Sequence, residues 1–101
     1  MEKLKKISVK KLAKAAYILK TIAHPLRLSI VEYLSTENEL SVTQLCELLD
    51  AEQSLVSHHL QNMKLKGLLK SRKEGVCMYY SLKETRLSEI IRCVEKCDCN
   101  M

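Results

Sequence analysis

Residues 41–81 read SVTQLCELLDAEQSLVSHHLQNMKLKGLLKSRKEGVCMYYS, and their apolar spacing predicts a helix, a turn, a second helix and a two-stranded hairpin. Ser41 and Gln44 match a capping box, so we expect the first of these helices to begin there. Gly67 stands where a left-handed residue commonly ends a helix, and Gly75 stands in the hairpin turn expected over residues 73–76, with Val76 leading into the return strand. Two helices joined by a short turn are therefore expected to lead directly into the hairpin.

The second helix of this stretch, residues 53–66, is expected to have two different faces. Its apolar stripe consists of Leu55, Val56, Leu60 and Met63. The residues that lie away from this stripe are short, polar and nearly uncharged: Ser54, Ser57, His58, Gln61 and Lys64. Such side chains suit the major groove of DNA, where base edges are read by hydrogen-bond donors and acceptors. An ordinary solvated helix face is the alternative.

Basic charge is confined to two parts of the chain. Residues 1–27 carry eight basic residues against one acid, whereas residues 28–63 carry six acids and no basic residue. Basic residues then return as Lys64, Lys66, Lys70, Arg72 and Lys73. With a formal net charge of +5 and a pI near 9.0, this layout predicts phosphate contacts on both sides of a polar reading helix. The alternative is that the lysines serve solubility alone.

The composition predicts one small, mainly helical domain that spans residues 1–101. There is no Trp or Phe, so the core must be built from aliphatic residues, and residues 1–8 are expected to form a flexible basic leader. No signal peptide or membrane segment is recognisable. Five cysteines, an odd number, then predict reduced thiols in the cytoplasm rather than a disulfide framework.

Helices are also expected on both sides of the central stretch. Residues 9–21 form an amphipathic pattern, and a nearly all-apolar core helix should begin at Pro25, with His24 hydrogen-bonding at its start. Residues 35–39 are expected to be a solvated loop. The last helix is placed at about residues 83–96. The small alanine positions of the first helix allow close approach of a partner, and the apolar stripe of the last helix is expected to find no room in the small core. We therefore expect these two helices to form a homodimer interface.

Four segments in this order, HPLRLSIVEYL, LSVTQLCELL, SLVSHHLQNMKLKGLL and SRKEGVCMYYSL, resemble the ArsR/SmtB family of winged-helix transcriptional repressors. The likeness covers roughly residues 9–95 and implies an α-α-α-α-β-β-α winged helix-turn-helix. It also implies a homodimer that binds a palindromic DNA operator and is released by an inducer. The family's DNA contacts correspond here to Gln53, Ser54, Ser57, His58, Gln61 and Lys64, and to Arg72 and Lys73 in the wing. Glu52 departs from the usual serine at the helix start.

The inducer sites of the metal-sensing relatives are not reproduced in this chain. The zinc positions near the last helix correspond to Glu84, Arg86, Cys97 and Asn100, and an arginine cannot ligate a cation. The Cys-x-Cys pair of arsenic and cadmium sensors corresponds to Ser41 and Thr43. Neither site is therefore expected to bind a metal here.

Residues 93–101, CVEKCDCNM, offer a different candidate site at the start of the cysteine-rich tail, residues 97–101. Cys93 and Cys97 share a helix face, and Cys99 follows two residues later. Three thiolates suit a soft inducer ion such as As(III), Sb(III), Cd(II), Hg(II) or Cu(I). A redox or sulfur response of the same thiols is an alternative, and inert thiols on the tail are another.

The sequence shows no pattern typical of an enzyme, and its other two cysteines are not assigned to the inducer site. Cys46 is interpreted as a small core residue, and Cys77 has no assigned role. No glycine-rich phosphate loop, paired acids or Cys-His dyad is recognisable, so an enzyme is not expected, and DNA binding should need no cofactor. A winged helix that serves as a protein-interaction module is the alternative from another class.

Overall fold

The computed structural model describes residues 7–97 and has five helices and three strands within them. The helices are α1 (Val9–Ile22), α2 (Pro25–Glu37), α3 (Val42–Leu49), α4 (Gln53–Leu65) and α5 (Leu87–Lys96). The strands are β1 (Glu39–Ser41), β2 (Leu69–Glu74) and β3 (Cys77–Leu82). Most of the predicted leader, together with Cys99 and Asn100, lies outside the described residues.

The core forms around α2, as its apolar sequence predicts. Ile30 and Val31 of this helix are completely buried, and they are joined by Leu45 of α3 and Leu60 of α4. His24 caps the start of α2 and hydrogen-bonds there as predicted, because its Nδ1 accepts a hydrogen bond from the backbone N–H of Leu26 at 3.1 Å. The helix-turn-helix and the central helix therefore share one aliphatic core. The expectation that this core has no room for the last helix was wrong for part of its stripe, because Leu87 and Ile91 of α5 are buried in the same core.

The sheet has a third strand that the sequence did not predict. β1 pairs antiparallel with β3, which gives the strand order β1-β3-β2 and places Glu39 opposite Ser81. The expectation of a loop over residues 35–39 was wrong, since α2 continues to Glu37 and Asn38 ends it with φ +70°. A three-residue strand is stabilised by its distant partner strand and has no periodicity of its own.

The hairpin that follows α4 turns where its glycine predicts. Gly67 and Gly75 adopt φ +86° and +63°, which an L side chain rarely adopts. The strands run to Glu74 and resume at Cys77, so the turn is tighter than the expected residues 73–76. Val76, expected in the return strand, lies at the tip and is 99% exposed.

α5 begins later than predicted, at Leu87 rather than at Lys83. The backbone N–H groups of Lys83 and Glu84 both donate to the carbonyl oxygen of Leu68, at 2.9 and 3.1 Å. These bonds hold residues 83 and 84 against the end of the hairpin and outside the helix. Among the described residues, no helix combines the length and the apolar character that crossing a bilayer requires.

Candidate nucleic-acid interface

The turn between α3 and α4 fixes the angle of the two helices. The predicted capping box is present: Ser41 Oγ accepts from the N–H of Gln44 at 3.1 Å, and Gln44 Oε1 accepts from the N–H of Ser41 at 2.9 Å. Asp50 ends α3 in the left-handed conformation, and its N–H donates to the carbonyl oxygens of Cys46 and Glu47. A short local motif of this kind presents the second helix on the surface of the domain.

α4 buries one face and exposes the other. Val56, Leu60 and Met63 are completely buried, as predicted. Leu55 was wrongly placed on this stripe, because it is 46% exposed and the fourth buried position is His59, at 6% exposure. The difference follows from helix geometry. Position 59 lies about 60° around the helix from Val56 and so stays on the buried face, whereas position 55 lies about 100° from Val56 and falls outside that face.

The opposite side of α4 carries the outer ridge, which we define as Ser54, His58 and Gln61. All three are exposed, and their spacing of three and four residues aligns them along the helix. The other residues predicted to contact DNA flank this ridge: Gln53 and Lys64 are exposed and Ser57 is half-buried. Glu52 is the N-cap residue of α4 and makes no side-chain hydrogen bond there. The first N–H groups of α4 thus have no side-chain cap.

The two basic residues predicted for the wing differ in their surroundings. Arg72 donates from Nε and Nη2 to the carboxylate of Glu39, at 2.7 and 2.8 Å, and from Nη1 to Glu74 at 2.8 Å. Its guanidinium also lies 4.7 Å from the centre of the Tyr79 ring. These carboxylates raise the pKa of Arg72, and hydrogen bonding to Arg72 lowers the pKa of Glu39.

Arg72 therefore ties β1 to the wing across the intervening strand. Lys73 is exposed and forms no ion pair within the described part of the chain. Of the two, it is the side chain whose charge is available to a ligand.

A cluster of polar side chains that the sequence did not reveal lies behind α4. Arg27 Nε donates to Nδ1 of His59 at 2.9 Å, and Arg27 Nη1 donates to the carbonyl oxygen of Thr21 at 2.9 Å. The ring of His24 is 4.7 Å from that of His59. Burial, and then the neighbouring Arg27, His24 and His58, lower the pKa of His59. The only signal in the sequence was the helical position of His59, which allowed packing as well as solvation.

The cysteines predicted to bind an inducer are at the end of α5. Cys93 is exposed, and Cys97 follows the last residue of the helix with its N–H bonded to the carbonyl oxygen of Val94 at 3.1 Å. Within residues 7–97 no group of three or more His, Cys, Asp or Glu side chains could hold a metal ion. The third predicted ligand, Cys99, lies outside those residues. Cys46 packs against the core as predicted, and Cys77 is exposed.

Just before α5, Glu84 and Arg86 form an internal ion pair. These are two of the four positions predicted to correspond to the zinc ligands of metal-sensing relatives. Arg86 donates from Nε and Nη2 to the carboxylate of Glu84, at 2.8 and 3.2 Å, and lowers the pKa of that carboxyl. Lys14 Nζ approaches the same group at 3.9 Å. The carboxylate is thus already neutralised by the chain's own cations.

An apolar groove of 340 Å³ runs between α1 and α5, and we call it the α1–α5 groove. Its lining residues are Ala15, Ile18, Leu19, Arg86, Leu87, Glu89, Ile90 and Cys93. Around it, Leu12, Leu19 and Val94 are 45%, 50% and 56% exposed. A face of this kind on two adjacent helices is typical of a surface that a partner covers.

Comparison with known proteins agrees with this geometry. Residues 24–71 match the family described as "Bacterial regulatory protein, arsR family". The chain is 41% identical to the transcriptional repressor PagR of Bacillus anthracis, over 86% of this chain and 87% of that protein. It is 42% identical to the arsenical resistance operon repressor of Escherichia coli, over 64% of this chain and 56% of that protein.

The solved structure of HlyU from Vibrio cholerae superposes on this fold with a TM-score of 0.81 and 35% identity. The match covers 92% of this chain and all of that one. Sequence and fold agree along nearly the whole chain, and the winged helix-turn-helix is the same. The protein belongs to the ArsR/SmtB family of DNA-binding transcriptional regulators.

Proposed function

We propose that the protein is a homodimeric repressor that binds a specific DNA operator through the outer ridge of α4. The observation that carries this proposal is the division of α4 into a fully buried apolar face and an exposed ridge of Ser54, His58 and Gln61. Hydroxyl, imidazole and amide groups can each bond base edges, and the ridge contains no Lys, Arg, Asp or Glu. Gln53, Ser57 and Lys64 would contact bases or phosphates beside it.

The wing would contribute phosphate contacts mainly through Lys73. Arg72 shares its guanidinium among Glu39 and Glu74, and removing it from those carboxylates would leave them unpaired near DNA. Its first role is therefore to hold the wing against β1, so that Lys73 is presented at a fixed distance from α4. Lysine serves a phosphate well as a point charge.

The dimer would form through α1 and α5 of two subunits. The α1–α5 groove is lined mainly by apolar side chains, among them the half-exposed Leu19. The exposed Leu12 and Val94 add further apolar surface on the same two helices. A twofold pair would place two α4 helices in successive major grooves, roughly 34 Å apart. PagR, at 41% identity, is named a transcriptional repressor, which supports the proposal of repression for this chain.

DNA binding is tested by fluorescence anisotropy with a duplex that the wild-type protein selects from a random pool. His58→Ala should weaken binding to that duplex by about 1–3 kcal/mol and relax the preference at one position. Lys73→Ala should weaken binding to selected and shuffled duplexes alike and reduce the salt slope by about 1. A wild-type protein that selects no duplex, or an effect of His58→Ala that is equal on both duplexes, would contradict the proposal.

We further propose that a thiol-reactive inducer releases the protein from DNA by binding Cys93, Cys97 and Cys99. A relative at 42% identity is named an arsenical resistance operon repressor, and Cys93 and Cys97 are both exposed, one in the last turns of α5 and the other directly after the helix. Cys93 also lines the α1–α5 groove, so a ligand held there would disturb the surface on which the dimer depends. Soft ions such as As(III), Sb(III) or Cd(II) prefer thiolate ligands.

Arsenite should therefore lower the affinity for the selected duplex, and the triple Cys→Ser variant should not respond. Cys77→Ser is the matched control, since Cys77 is an exposed thiol on the wing. Release by peroxide or polysulfide without any response to arsenite would instead identify a redox or sulfur response of the same thiols. A triple variant that responds to arsenite as the parent does would refute the sensor site.

A further inference from the structure

Arg27 joins three helices through two hydrogen bonds. It lies in the first turn of α2 and donates to the last turn of α1, at the Thr21 carbonyl oxygen, and to the middle of α4, at His59. The fork geometry of a guanidinium allows both bonds to be made at once, which a lysine ammonium on a flexible stem reproduces poorly. One side chain thus fixes the relative position of α1, α2 and α4.

The acceptor on α4 lies directly behind the outer ridge. His59 follows His58 in sequence, and it is buried where His58 is exposed. A shift of His59 would therefore move the ridge by a similar distance, because both belong to one rigid helix. On the other side, Thr21 belongs to α1, the helix that carries half of the proposed dimer surface.

We propose that Arg27 is a positioning residue that sets the orientation of α4 relative to α1, and that this link holds only while His59 is neutral. The proposal rests on the proposed function, since it assumes that α4 reads DNA. It adds a residue that touches no DNA and that controls how precisely the two reading helices of a dimer are spaced.

The chemistry of the Arg27–His59 contact explains why protonation would break it. Nδ1 of His59 accepts a hydrogen bond, so its proton is on Nε2 in the neutral ring. Protonation would place a hydrogen on Nδ1, facing the Nε–H of Arg27, and would add a like charge beside it. The charged or titratable neighbours that affect the pKa of His59 are Arg27 of α2, His24 at the N-cap of α2 and His58 of α4. The group that α1 contributes is the neutral Thr21 carbonyl, which bonds Arg27. Among the described residues, no carboxylate contributes to the shift.

The test compares affinity for the selected duplex with affinity for a shuffled duplex of the same length. Arg27→Met keeps the aliphatic stem but removes both donors, so the ratio of the two affinities should fall by about tenfold or more. Arg27→Lys should recover part of this ratio. Arg92→Met is the control for loss of one positive charge, because Arg92 is exposed on α5, and it should leave the ratio within about threefold of wild type.

The pH profile gives a second measurement. The wild-type ratio should fall only in mild acid, below the pH at which an ordinary histidine protonates, because burial and the neighbouring Arg27 lower the pKa of His59. His59→Asn keeps an acceptor near the position of Nδ1 and does not titrate, so its ratio should fall less than that of wild type over the same range. His58 is present in both proteins, so the difference between their two profiles reports the effect of residue 59.

Two results would overturn the proposal. One is an Arg27→Met protein that circular dichroism shows to be folded and whose affinity ratio equals that of Arg92→Met. The other is a His59→Asn protein with the wild-type pH profile. If the wild-type protein selects no duplex, the proposed function fails, and the link is still judged by nitrogen NMR of the His59 ring. That spectrum should show the Nε2–H form in wild type, and Arg27→Met should change it.

Discussion

Truncating Leu19 to alanine should weaken the homodimer while leaving the subunit folded. Leu19 lines the α1–α5 groove and is 50% exposed in the single subunit. Fully burying a leucine contributes about 2 kcal/mol, so covering the exposed half contributes about 1 kcal/mol. In the proposed twofold dimer this residue would enter the interface twice, which gives about 2 kcal/mol for the dimer.

A loss of about 2 kcal/mol corresponds to a roughly 30-fold higher Kd for dimerisation. Sedimentation velocity over a range of protein concentrations measures this constant directly. Leu48→Ala is the matched control, because Leu48 on α3 is 46% exposed and lies outside the α1–α5 groove. Both substitutions remove the same atoms from sites of nearly equal exposure, so their costs to the single subunit should be similar.

The reasoning is refuted if Leu19→Ala dimerises with a wild-type Kd, or if Leu48→Ala weakens the dimer equally. The first result would mean that another surface pairs the subunits. The second would mean that the effect passes through subunit stability rather than through a contact.

Three further predictions test the fold. Ser41→Ala removes the cap of α3 and should lower the free energy of unfolding in urea by about 1 kcal/mol, whereas Thr43→Ala, at an exposed position in the first turn of the same helix, should not. Leu60→Ala empties a completely buried site and should cost about 3 kcal/mol in the same assay. Glu39→Gln should lower the melting temperature at pH 7. Because Arg72 lowers the pKa of Glu39, its contribution is lost as the pH falls below about 4.5, and variant and wild type should converge in acid. A difference that persists at pH 2 would contradict this cause.

The parts of the fold that were predictable from sequence are those whose signals are local. The capping box of Ser41 and Gln44, the left-handed glycines at 67 and 75, and the helical spacing of Val56 and Leu60 each specify a conformation within a few residues. Such signals can be interpreted from the sequence alone, without knowledge of the tertiary structure. They were sufficient to place the helix-turn-helix and the hairpin within one or two residues, and with them the outer ridge.

The parts that were not predictable depend on contacts between distant residues. β1 exists because residues 39–41 pair with residues 79–81. A stretch of three residues contains no pattern that predicts its partner strand. The bond from Arg27 to His59 spans 32 positions, and that from Arg72 to Glu39 spans 33. Both join a charged side chain to an acceptor whose position only the fold determines.

These distant bonds change how the basic charge of the chain should be understood. Of its four arginines, Arg27, Arg72 and Arg86 each bond acceptors within the chain, and Arg92 is exposed on α5. A count of basic residues would assign Arg72 to phosphates, whereas its geometry assigns it to the wing itself. Under the proposed function, attraction to DNA would fall mainly to lysines, which contact phosphates as point charges, and discrimination among bases would fall to the outer ridge. The three arginines that bond acceptors within the chain, Arg27, Arg72 and Arg86, would then hold the elements that carry those residues in place.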